Sequence, residues 1–268
     1  MTAFEFLFAV TAMTVALSII MAIAWFIQQR SGNSGWVDAI WTFGVGLTGV
    51  AGALLSTGGG WQPRHVWVAA FAGLWALRLG IHIAIRSAKI PNDPRYAEKI
   101  KAWGKDAPRQ MFLFLQIQAL AGIPLVMSIF VAAHRPGDGF NLGDVAAILV
   151  MTVAICGEGL ADWQLHRFKS KPANKRGIND AGLWKWSRHP NYFFEALGWL
   201  TYPLIAIDLT GQYPFGFLAL AGPACMYWLL VYVSGIPPLE EHMLRSRGEA
   251  FRAYQHRTNA FFPGPPRQ

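Results

Sequence analysis

Ionisable residues recur at helical spacing inside otherwise apolar stretches of this chain. Glu158, Asp162 and His166 stand four apart, as do Arg78 and His82, and residues four apart share one face of a helix. A carboxylate accepts hydrogen bonds from hydroxyls or carries a proton, while imidazole and guanidinium groups meet phosphates and carbonyl oxygens. Asp38, in GWVDAIWTF, is a lone carboxylate at the start of another apolar run. It can serve as an acid, with Arg78 as a cation for developing negative charge and His82 as a further proton carrier. The alternatives are mutually neutralising ion pairs between packed helices and, for Asp38, an interfacial carboxylate that stays in water.

Two later segments concentrate polar chemistry. GLWKWSRHPNYFFE, residues 182–195, sets Arg188 and His189 beside Asn191, Tyr192 and Glu195. Pro190 suits a first helical turn, and a helix start with nearby Arg is a site for phosphate or carboxylate. A juxtamembrane basic cluster also holds topology or touches anionic lipid. PPLEEHMLRSRGEAFRAYQHRTNAFFP then brings Glu240, Glu241, His242, Arg245, Tyr254 and Arg257 into an amphipathic stretch expected to run along the membrane face.

The elements that carry these residues follow from hydropathy. Of 268 residues 53% are hydrophobic and 14% charged, with 12 Trp, too apolar for a soluble domain of this length. Runs near 3–27, 36–56, 65–86, 111–133, 142–165, 192–209 and 214–236 approach or exceed the length a span requires. They predict an all-α, polytopic membrane protein of about seven transmembrane helices, forming one integral membrane domain over residues 1–268. The run at 192–209 is short and contains Pro203, so it is open to being tilted or broken. The first run lacks a basic leader segment and is expected to stay as a helix.

Lys and Arg gather in three connections. They are Arg86, Lys89, Arg95, Lys99, Lys101, Lys105 and Arg109; then Arg167, Lys169, Lys171, Lys175, Arg176, Lys185 and Arg188; then the tail from Arg245 to Arg267. The intervening loops carry little beyond Arg64 and Arg135. The positive-inside rule makes the basic segments cytoplasmic, the N-terminus external and the C-terminus cytoplasmic. The net charge of +8 is thereby read as topology signal and anionic-ligand contact, not as a nucleic-acid surface. Cys156 and Cys225 lie in apolar runs and suggest neither a disulfide framework nor a Cys-based metal site.

GEGLADWQLHRFK, GLWKWSRHPNYFFE and EEHMLRSRGEAFRAYQHRTNAFFP together resemble the steroid 5α-reductase family, most closely its uncharacterised bacterial branch, over about residues 30–263. The resemblance implies a seven-helix enzyme of the bacterial inner membrane. It would reduce an activated C=C bond of a lipidic enone, such as a 3-oxo-4-ene steroid, with NADPH bound from the cytoplasm mainly within 158–263. Asp162 and Lys169 match residues that hold ribose and phosphates. Asn191 matches an Asn near the nicotinamide, and Glu195 the acidic residue one turn on. Glu158 falls where an Asn contacts the cofactor, and Arg78 matches an Arg on the third helix. Arg95, His166, Arg188, His189, Tyr192, Glu241, His242, Arg245 and Tyr254 complete the expected cofactor set; no metal is expected.

The chain departs from the family at the Gln-Glu pair and Tyr that grip and protonate the substrate carbonyl: the best counterparts are Val37-Asp38, or a shifted equivalent, and Trp75, so cofactor binding transfers better than steroid chemistry. Trp36, Trp41 and Trp75 would line an apolar pocket. The expected partners are the lipidic substrate and membrane lipid, with no nucleic acid and no obligate protein partner. RHPNY with the later EE, GEAFRAY and FFP also looks like the isoprenylcysteine and phospholipid methyltransferases, which bind S-adenosylmethionine. The GxxxDxQ stretch, the N-terminal VDAIW and the two basic loops favour the reductase. A non-enzymatic lipid-binding or transport protein would use the same intramembrane charges for docking or conduction.

Overall fold

The computed structural model describes residues 1–55, 60–89, 94–174 and 177–267; Lys175 and Arg176 of the second basic connection lie outside the described residues. The chain is all-α, without a strand among the described residues. Its α-helices are α1 (Ala3–Ser31), α2 (Trp36–Leu54), α3 (Gln62–Lys89), α4 (Pro94–Trp103), α5 (Ala107–Ala133), α6 (Leu142–Lys169), α7 (Pro190–Trp199), α8 (Thr201–Ala206), α9 (Ala221–Trp228), α10 (Ile236–Arg247) and α11 (Glu249–Arg257).

Six helical segments among the described residues are long and apolar enough to cross a bilayer: Ala3–Ser31, Trp36–Leu54, Gln62–Ala88, Arg95–Ala133, Leu142–Lys169 and Pro214–Arg247. The protein is an integral membrane protein. The run at 192–209 is the expected span that breaks, forming α7 of 10 residues and α8 of 6. At 1.5 Å per residue neither approaches the roughly 30 Å hydrocarbon core. Pro203 supplies the reason, since its ring opposes the carbonyl four residues back, at Trp199, where α7 ends. A second difference concerns residues 95–103, read as loop from their charge. They form α4, and a single 3₁₀ turn at Gly104–Asp106 carries it into α5.

The chain folds as two compact units, Met1–Asn141 with Tyr202–Gly222, and Leu142–Thr201 with Pro223–Gln268. In the first, α2 packs against α1, α3 and α5. Its glycines permit close approach: a Cβ on Gly46 would stand 2.1 Å from that of Ala76 on α3, and one on Gly44 would stand 2.8 Å from Ile20 on α1. The GVGLTGVAGALL motif thus serves packing within the chain. One face of α1 buries Ala9, Met13, Leu17, Met21 and Ala24, while Phe8, Val15, Ile19 and Phe26 are exposed, as lipid-facing residues must be. At the far end of α2, His65 bonds the Ala53 carbonyl and His134 the Leu55 carbonyl. Arg64 donates to the carbonyls of Arg135 and Gly139. The two histidines thereby occupy carbonyls that the end of α2 leaves open, and Arg64 ties down the connection between α5 and α6.

In the second unit α6 packs along α7, with Gly157 directly beneath the Phe194 ring. Ala196, Ile236 and Phe261 form a small core flanked by Phe193 and Tyr227. The amphipathic C-terminal stretch is two helices, α10 and α11, joined at Gly248, whose φ of 52° suits glycine.

Candidate functional site

Polar side chains gather in each unit. In the first, Asp38 stands in the first turn of α2, and its carboxylate receives Arg95 at Oδ2 and the Tyr96 hydroxyl at Oδ1, the latter at 2.6 Å. The Tyr96 oxygen in turn accepts from Gln118 Nε2 on α5 at 3.0 Å. Trp41 donates its indole N–H to the Gln118 carbonyl at 2.8 Å. Tyr96 is buried, whereas Asp38 and Arg95 are partly open. The arrangement links α2, α4 and α5 through one carboxylate. It fixes a phenol whose proton points at that carboxylate, which is the equipment of a proton donor as well as of a clamp.

Arg78 and His82 are set apart from this carboxylate. α2 and α3 run antiparallel, with Ser87 bonded to Gly35, Gly80 beneath Phe43 and Gly46 against Ala76. Asp38 therefore lies level with about residue 84, and Arg78 is roughly 9 Å deeper along α3. Arg78 is half-buried and His82 exposed, and Trp75 is buried. Arg95, expected with the cofactor set, is instead a partner of Asp38.

In the second unit, the expected face of α6 forms. Glu158 is buried, Asp162 half-buried, and His166 and Lys169 exposed in the last turns, where cations suit the negative end of the helix dipole. Facing it on α7, Asn191 donates Nδ2 to Asp162 Oδ1 at 3.3 Å. One turn on, buried Glu195 accepts the Trp199 indole N–H at 3.1 Å. The result is a strip of carboxylate, carboxamide and carboxylate along the contact of α6 with α7, with His166 and Lys169 farther along α6.

Arg188 and His189 belong to a different arrangement. Arg188 holds Glu240 through Nε to Oε1 at 2.7 Å and Nη2 to Oε2 at 3.1 Å, and its Nη1 donates to the carbonyls of Gln255 and Thr258. His189 lies 2.9 Å from Glu240 Oε1, and Gln255 Nε2 donates to Oε2 at 2.7 Å. Burial lowers the His189 pKa despite the adjacent carboxylate. A neutral ring donating Nε2–H fits both facts. Tyr192 stacks on that ring with 5.4 Å between centroids and 7° between planes. Tyr254 donates to the Trp184 carbonyl, and burial raises its pKa. Ser187 donates to the Phe261 carbonyl at 2.8 Å. This network fastens the start of α7 to α10, α11 and the C-terminal segment.

Glu241, His242 and Arg245 are exposed on α10, with Arg245 3.8 Å from Glu241. The inward carboxylate is their neighbour Glu240. Helical spacing signals this, because Glu240 lies one turn after buried Ile236. Tyr96 and Gln118 were likewise outside the expected set. Their signal is the spacing of Tyr96, Ile100 and Trp103, which makes 95–103 an amphipathic helix instead of a loop.

No solved structure matches the chain. A Schizosaccharomyces pombe protein named Uncharacterized protein C594.04c is 34% identical over 95 residues, covering 33% of this chain. The match spans only 24% of that relative's length. The model of the family described as a protein of unknown function, DUF1295, matches residues 24–258, and the chain belongs to that family.

Proposed function

We propose that the protein is a membrane-embedded, NADPH-dependent reductase of an activated C=C bond in a lipidic enone, the activity implied by its resemblance to the steroid 5α-reductases. The observation that carries this reading is the Asp162–Asn191 contact between α6 and α7, with buried Glu158 and Glu195 beside it and His166 and Lys169 exposed in the last turns of α6. The residues fit such a cofactor by their chemistry. Asp162 would accept from ribose hydroxyls, His166 and Lys169 would meet the phosphates, and Asn191 would offer a carboxamide to the nicotinamide amide. A dinucleotide held between helices needs no Gly-rich Rossmann turn.

When bound, the reduced nicotinamide supplies the hydride for the β-carbon of the enone. The product also needs one proton; within the first unit, Asp38 and Gln118 orient the Tyr96 phenol as a proton donor. Arg188, His189 and Tyr254 act here by holding the start of α7, and hence Asn191, in position. By the positive-inside rule the basic connections and the C-terminus face the cytoplasm of a bacterial inner membrane. The substrate enters from lipid.

Thermal melting of the detergent-purified chain with NADPH, NADH and S-adenosylmethionine tests the reading. A ligand at 100 to 1,000 times its dissociation constant stabilises by about 2.7–4.1 kcal/mol. Stabilisation by NADPH that is lost in Asn191→Ala and Asp162→Asn, followed by NADPH oxidation on addition of an enone lipid, is the expected result. Stabilisation by S-adenosylmethionine alone overturns it in favour of methyl transfer, and stabilisation by none of the three overturns it in favour of a non-enzymatic role.

A further inference from the structure

At the water end of α6 an open cavity of about 290 Å³ lies beside Trp163, Arg167 and Lys171. It does not belong to the Asp162 strip, because five residues along a helix turn Arg167 about 140° away from Asp162. Arg167 lies over the Trp163 ring at 5.3 Å. Among the described residues, no acidic side chain pairs with Arg167 or Lys171.

The wall is mainly apolar, with polar side chains set into it. Asn179 is only 8% exposed, lines the cavity, and has no hydrogen-bond partner among the described residues. Its amide atoms are not sealed from water, so they are available to a ligand that enters the open cavity. Gln164 accepts the Leu183 N–H through Oε1 and keeps its NH₂ group for the cavity. Asn174 donates Nδ2 to the Phe168 carbonyl and keeps Oδ1. Gly182, at φ 63°, completes the wall where any Cβ would collide with Gln164. The cavity thus combines two cations, amide donors and an acceptor.

An apolar track leads to it. Leu149, Val153, Leu160 and Trp163 are all exposed on α6 and succeed one another at helical spacing up to Arg167. They lie on a helix long and apolar enough to span the bilayer. A cationic, hydrogen-bonding cavity at the head of a lipid-facing stripe matches a molecule with a phosphodiester and hydroxyls at one end and acyl chains at the other.

We infer that the cavity bounded by Trp163, Arg167, Lys171 and Asn179 is a binding site for an anionic, hydroxyl-bearing phospholipid headgroup, whose chains lie along Leu149, Val153 and Leu160. Arg167 and Lys171 hold the phosphate, Asn179 and Asn174 bond the headgroup hydroxyls, and Trp163 seats the glycerol region at the interface. The site is independent of the reductase reading and stands or falls without it.

Native mass spectrometry of the full chain in mild detergent, with phosphatidylglycerol and phosphatidylcholine added at equal concentration, tests the site. The expected result is selective retention of phosphatidylglycerol. Each cation near an anionic lipid is worth roughly fivefold, so Arg167→Gln with Lys171→Gln weakens retention by about 25-fold. Melting in lipid-free detergent should not change, since both side chains lie at the surface. Asn179→Ala, which leaves both cations in place, should also lower the preference and serves if the double variant is lost on purification. Equal retention of the two lipids overturns the proposal, as does undiminished selectivity in both variants. Complete displacement of phosphatidylglycerol by an equal concentration of glycerol phosphate also overturns it, because the cavity would then be a soluble-anion site.

Discussion

Arg188 and Glu240 form a two-pronged ion pair, 2.7 Å and 3.1 Å across its two bonds, with side chains only 10% and 13% exposed. Each partner has further bonds: Arg188 to the carbonyls of Gln255 and Thr258, Glu240 to His189 and Gln255. Removing one member of a buried pair leaves the other charged and uncompensated. Arg188→Ala should therefore destabilise the fold by about 3–5 kcal/mol. Arg188→Lys should recover little, because a single ammonium cannot reproduce the planar fork. Thermal midpoints of the purified variants measure both, and a wild-type midpoint for Arg188→Ala would reduce the network to a surface ornament.

His189 makes the same network sensitive to acid. Its pKa is lowered by burial, against the pull of Glu240 and with help from the Arg188 charge. In the unfolded chain its pKa returns to about 6.5. Between the folded and unfolded values the unfolded chain binds the extra proton, so stability is complete above about pH 6.5 and declines as pH falls below it. His189→Gln keeps a donor for Glu240 but cannot titrate. The variant should lose less of its thermal midpoint than wild type between neutral and mildly acidic pH, and an identical decline in both proteins would assign the effect elsewhere.

The spans were legible because hydropathy reports burial in lipid directly, and the faces of α3 and α6 because four-residue spacing is a geometric property of the helix. Hydropathy could not say that residues 192–209 form two helices, since an apolar run scores alike whether continuous or broken. Only Pro203, opposite the Trp199 carbonyl, carried that information. Tyr96 escaped for the opposite reason. It lies among Arg95, Lys99 and Lys101, where charge obscures a helical period. Arg188 was correctly read as a cation beside a helix start, but its partner is a carboxylate 52 positions away. Local sequence contains no signal for such pairing.

Packing at Gly46 gives a prediction independent of function. A Cβ there would lie 2.1 Å from the Ala76 Cβ, so Gly46→Ala must push α2 and α3 apart. Overpacking of this kind costs about 1–3 kcal/mol. Ala76→Gly in the same chain removes the collision and should restore most of the loss, although each change alone destabilises. Additive losses in the double variant would mean that the two helices do not meet here.

Tyr96 distinguishes a clamp from an acid. Tyr96→Phe removes the hydrogen bond to Asp38 and the one from Gln118, which should cost about 1–3 kcal/mol of stability in either case. If the phenol also supplies the proton for enone reduction, kcat should fall by about 10²–10⁴ while the KM for NADPH stays near wild type. Asp38→Asn should lower kcat as well and change its pH dependence, because an amide holds the phenol without a charge. Gln118→Leu offers the control: it loosens the same cluster but leaves the Tyr96–Asp38 pair intact, so it should reduce stability more than rate. A parallel fall in stability and activity across all three variants, with unchanged pH–rate profiles, would leave the cluster as the joint between α2, α4 and α5 and move the proton donor to another residue.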